Sequence, residues 1–209
     1  MSTHTEVQRI TARREEVRTI DQQSRNHLRE SSACDSMKDH LEHWNWRMHR
    51  SYVVSELCRP MLAKRDRNDE AVRRLRSTCV EALADTVDAF LHLHNLTVFA
   101  HTSWAAVHRS LSSALLLGIL KEPARNERVR LLLDKIVAAM SGMEFLDPSE
   151  VPSPVSRAIA ALVQLNDRND AEMKAEQSSS VSSSTDEPSP HAQMQSILWG
   201  SPPTSHLFN

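Results

Sequence analysis

From Val72 to Phe90, apolar side chains recur at steps of three and four residues: Val72, Leu75, Cys79, Leu83, Val87 and Phe90. That spacing lines one face of a 3.6-residue helix and does not fit the alternation of a strand. Asn68 stands where a cap is needed, with Asp69 and Glu70 near the positive end of the helix. Ser36 precedes a second such segment, in which Met37, Leu41, Trp44, Met48 and Tyr52 share a face. Ser103 opens a third, with Trp104, Val107, Leu111 and Leu115, and Asn126 opens a fourth that runs to Met140 and is closed by Gly142. Ser153-Pro154 supplies a cap and a first-turn proline for Val155 to Leu165. Only three glycines occur in 209 residues, so left-handed positions for tight hairpins or phosphate-cradling loops are scarce. The predicted fold is all-α, an array of about six antiparallel helices with a disordered C-terminal tail.

Three regions follow from composition. Residues 1–35 are read as an amphipathic helix, with Val7, Ile10, Val17 and Leu28 near one line of the wheel, followed by a linker. Residues 36–166 form the helical domain. Residues 167–209 turn charged, then serine-rich, then proline-rich, and cannot bury a core. Ile197-Leu198-Trp199 is an apolar island in that tail and a candidate docking element.

A formal net charge of -2 gives no global field for nucleic acid, and the arginines at 47, 50, 73, 74 and 76 have acidic neighbours. Direct DNA reading is not expected. No apolar run approaches the roughly 20 residues that a spanning helix requires, so no membrane is expected. Cys34, Cys58 and Cys79 lie 24 and 21 residues apart, forming neither a metal-binding pair nor an even disulfide set. They are expected to be reduced, in a nucleus or cytosol.

No catalytic motif is present, and no cofactor or metal is expected. His40 and His43 stand three residues apart, but two ligands do not make a zinc site, and His43 is predicted to be solvated. Asp85 and Asp88 have the spacing by which helical isoprenoid-type enzymes hold magnesium, yet they lie opposite the core stripe. Trp46, Val53 and Leu57 lie opposite the Trp44 face of the same helix. A helix apolar on two sides needs two covers, so these three residues are candidate contacts for a protein partner or a second copy, ahead of a cover from residues 4–30.

Residues 44–165 resemble the regulatory (middle homology) domain of fungal zinc-cluster transcription factors. The resemblance rests on the aromatic-rich helix ending in Leu57-Cys58-Arg59-Pro60, the following helix with Cys79, the Trp104 to Leu120 segment, and an echo at Ile197-Leu198-Trp199-Gly200. It implies a nuclear, non-enzymatic module that acts in transcription regulation through helix-mediated contacts. The six-cysteine cluster of that family is absent from this sequence, so zinc and DNA binding do not carry over. The alternatives are an isoprenoid-type enzyme using the aspartate pair, and a general helical adaptor.

Overall fold

A computed structural model describes residues 3–64, 69–97, 100, 103–141, 153–176 and 194. All regular structure among them is helical: α1 (Thr3–Gln23), α2 (Asn26–Arg29), α3 (Met37–Cys58), α4 (Glu70–Leu96), α5 (Trp104–Ile119), α6 (Glu127–Ser141) and α7 (Ser153–Glu176), with three short 3₁₀ turns. No described helix is long and apolar enough to cross a membrane. The apolar island at 197–199 lies outside the described residues, as do Asn68 and Gly142.

The helix starts follow local chemistry. Ser36 and Asp39 form a capping box on α3, each side chain receiving the other's backbone N–H. The cap of α4 is Asp69, whose carboxylate accepts from the backbone of Ala71 at 2.8 Å. Ser103 and Asn126 receive the N–H groups of Ala106 and Arg128 as expected. α3 ends at Cys58, and Arg59–Ala63 continues as a 3₁₀ turn, because Pro60 offers no N–H to extend the α ladder.

The chain divides into two compact units, residues 1–113 and 114–209. α7 continues to Glu176. In the first unit, α3 and α4 form the central pair. Val72, Leu75, Cys79, Leu83, Val87 and Phe90 are all buried, as the period predicts, each large one contributing about 1.5–3 kcal/mol by leaving water. α1 lies along this pair. Its less exposed positions, Val7, Ile10, Arg14, Val17 and Asp21, alternate at steps of three and four, a narrow seam of the coiled-coil type. The single helix expected over residues 4–30 is broken at Ser24 and Arg25, and α2 follows.

In the second unit, Leu115, Leu116 and Leu117 of α5 are fully buried, as are Ile136 of α6 and Ala158 of α7. Gly118 lets α7 approach closely: a Cβ there would stand 3.3 Å from Leu165 Cδ1. Buried Asn169 donates to the Gly118 carbonyl at 3.4 Å, and Asn166 donates to Asp134 of α6 at 2.6 Å.

Candidate functional site

Trp46, Val53 and Leu57 have different fates. Trp46 is half-buried and its Nε1–H donates to Asp21 Oδ1 of α1 at 3.0 Å. Arg50, one turn further along α3, pairs with the same carboxylate. At Trp46, α1 supplies a cover through this polar contact. Leu57 is half-buried. Val53 remains 45% exposed. Beside these residues runs a groove of about 270 Å³ between α1 and α3, lined by Arg14, Arg18, Asp21, Arg50 and Val54 among others.

The aspartate pair is held by a cation from the neighbouring helix. Arg47 Nη2 lies 3.3 Å from Asp85 Oδ1 and 3.6 Å from Asp88 Oδ2. The same guanidinium sits 5.2 Å from the centre of the Trp44 ring, which stacks on His92 at 3.8 Å and 11°. These side chains join α3 to α4. A magnesium–diphosphate site would need the carboxylates facing a cavity rather than bridged by an arginine.

His43 is 3% exposed, not solvated. Its Nδ1 meets the His27 carbonyl at 2.9 Å, and a carbonyl only accepts, so Nδ1 carries the proton. Nε2 is enclosed without a partner. Burial lowers the His43 pKa, the His27 carbonyl opposing it. α2 caused the surprise: its passage across α3 covers a histidine that the wheel placed outside.

His27, Asp39 and Glu42 bring three potential metal-ligand atoms within 4.8 Å of one another. Spacing of 12 and 3 residues gave no motif. His27 Nε2 meets Glu42 Oε2 at 3.0 Å, while Asp39 is engaged by Ser36. Hydrogen bonding by Ser36 lowers the Asp39 pKa, and hydrogen bonding by His27 lowers that of Glu42. The trio caps α3 and fastens α2 to it, at a helix end whose dipole disfavours a cation.

A second polar group surrounds the end of α3. His49, Tyr52 and Glu56 of α3, with Arg59 of the turn that follows it, meet His108 and Arg109 from the first turns of α5. Arg59 pairs with Glu56, and its side chain is only 11% exposed. Arg109 donates to His49 Nδ1 and lies 5.4 Å from the centre of the Tyr52 ring. Trp104 and His108 rings are 5.8 Å apart, and Trp104 is 44% exposed. Burial and the Arg109 charge lower the His49 pKa, and burial followed by Arg109 lowers that of His108. Burial raises Tyr52, assisted by Glu56. The group offers neutral imidazoles, an aromatic face and a guanidinium. No nucleophile with a base and an orienting third group is assembled in it. Sequence reasoning missed this group because His49 and Arg109 are 60 residues apart.

No protein family, curated protein or solved structure was found to match this chain.

Proposed function

We propose that the chain is a non-enzymatic, all-helical regulatory module of the fungal transcription-factor type, acting in the nucleus through contacts with a protein partner. The observation that carries the reading is Val53, 45% exposed on a helix whose other large apolar residues are mostly covered. Trp104 adds an exposed aromatic surface on α5. Tryptophan is among the side chains on which interfaces concentrate binding energy. The resemblance of residues 44–165 to regulatory domains of that class supports the transcriptional assignment. The isoprenoid-type alternative ranks lower because Arg47 bridges Asp85 and Asp88.

The test tethers the full chain to a heterologous DNA-binding module in a fungal cell carrying a reporter. A fluorescent fusion of the untethered chain reports location. Expected are nuclear accumulation and a change in reporter output that Val53→Asp removes while the thermal melt is preserved. Exclusion from the nucleus together with an unchanged reporter overturns the proposal.

A further inference from the structure

Among the described residues, the guanidinium of Arg109 has no carboxylate partner. Its contacts are the Nδ1 of His49, a neutral acceptor, and the face of Tyr52. The one acid in the group, Glu56, is taken by Arg59. Two guanidinium charges thus share one carboxylate, in surroundings where His49 and Tyr52 are half-buried. A positive charge so placed is only partly solvated and gains from an incoming anion more than a fully exposed arginine does.

The rim is apolar and open. Val53 follows Tyr52 directly and lies one turn from His49 on α3, and it is 45% exposed. Trp104 packs against His108, the neighbour of Arg109, and is 44% exposed. An apolar residue stands on α3 and an indole on α5, with an unmatched guanidinium between the helices that carry them. That combination of tryptophan, tyrosine and arginine has the composition of an interface centre.

We infer that the surface formed by His49, Tyr52 and Val53 of α3 with Trp104 and Arg109 of α5 receives an acidic, amphipathic peptide segment of a partner protein. One carboxylate of the segment pairs with Arg109, while large apolar side chains spaced three or four residues away cover Val53 and Trp104. Charge complementarity selects this occupant: the unmatched charge is positive, and the exposed rim is apolar rather than basic. A nucleic acid would need several phosphate contacts in a row, and only Arg109 offers one here. The inference rests on the reading of the chain as a protein-contact module and specifies the chemistry of its partner.

The test uses the full chain as bait for a displayed library of random 12-residue peptides, and then measures selected peptides by fluorescence polarisation. The expected consensus carries Asp or Glu three or four residues from Leu, Phe or Trp. Arg109→Gln is expected to weaken binding by roughly tenfold or more, with a clear salt dependence. Val53→Asp should abolish binding, and Arg13→Gln, on the exposed side of α1, should leave it unchanged. If Arg109→Gln does not fold, Val53→Asp and Trp104→Ala decide, since both positions are open to solvent. A consensus without acidic residues overturns the inference, as does binding unmoved by the substitutions. Concentration-dependent self-association that Val53→Asp abolishes also overturns it, by assigning the surface to a second copy. A reporter effect lost in Val53→Asp alongside a non-acidic consensus would sink the partner chemistry while leaving the regulatory reading intact.

Discussion

Arg76 Nη1 donates to the carbonyl oxygens of Met61 and Leu62, at 3.1 and 2.7 Å. Those carbonyls belong to the 3₁₀ turn that Pro60 forces after α3, where the Met61 carbonyl also accepts from the Lys64 N–H at 3.4 Å. One side chain from α4 thus ties down the turn that follows Pro60. In the sequence Arg76 stands in one basic cluster with Arg73 and Arg74. Its neighbours Arg73 and Arg74 instead pair with Glu70 at exposed positions.

Arg76→Met should therefore destabilise the first unit by about 1–3 kcal/mol, chiefly the cost of taking the Arg76 donor from the Leu62 carbonyl. Arg74→Met, which removes an exposed pair, should stay within about 0.5 kcal/mol. Chemical denaturation of both variants measures the contrast. Equal losses would refute the structural role of Arg76.

The three thiols should separate in reactivity. Cys58 and Cys79 are 0% exposed, and burial pushes the Cys79 thiol up to about 12, with its Sγ 3.4 Å from the Ser55 carbonyl. Little thiolate exists there to react. Cys34 is only partly covered. At pH 8 a thiol reagent should modify one cysteine of the native chain quickly and the other two at the rate of unfolding. Fast labelling of Cys79 in the native state would contradict its placement.

Helix starts and core stripes were legible in the sequence because both are local: a cap acts within three residues, and a stripe within one helix. Ser36, Ser103 and Asn126 cap as expected, and the Val72 to Phe90 stripe is buried throughout. Asp69 takes the role expected of Asn68, a shift of one residue between two good caps. What stayed hidden depends on which segment arrives from a distance. His43 is buried because α2 crosses it, Asp85 and Asp88 are engaged because Arg47 lies on the facing helix, and Arg109 meets His49 from 60 residues away. A helical wheel describes a helix alone, so it assigns such groups to solvent. Asp21 is the clearest case, since nothing in α1 foretells that one carboxylate serves both Trp46 and Arg50.

The turn after α5 contains a removable cost. Lys121 has φ 57°, ψ 29°, the left-handed region, which a side chain with a Cβ enters at about 1 kcal/mol or more. Its N–H donates to Gly118 and that of Leu120 to Leu116, closing the helix. Lys121→Gly should stabilise the second unit by about 1 kcal/mol, read as a raised denaturation midpoint. Lys121→Ala, which keeps the Cβ, should bring no such gain. If both variants rise alike, backbone conformation is not the cause.

Acid should weaken the fold before the carboxylates titrate. His43, His49, His94 and His108 all have pKa values lowered by burial, with Arg109 adding to the effect at His49 and His108. Each is therefore held neutral in the folded chain and binds a proton more readily once unfolded. Where the unfolded chain binds more protons, stability rises with pH. The contribution is fully present above the ordinary histidine value of about 6.5, and it is lost as pH falls from there through the lower folded values. The melting temperature should hold near pH 7.5 and decline progressively below about 6.5. His43→Asn tests the assignment at one site: the asparagine amide can still donate to the His27 carbonyl but does not titrate in this range. That variant should show a shallower decline between pH 7 and 5 than the parent chain. A slope equal to the parent's would mean that His43 is not held neutral by its burial.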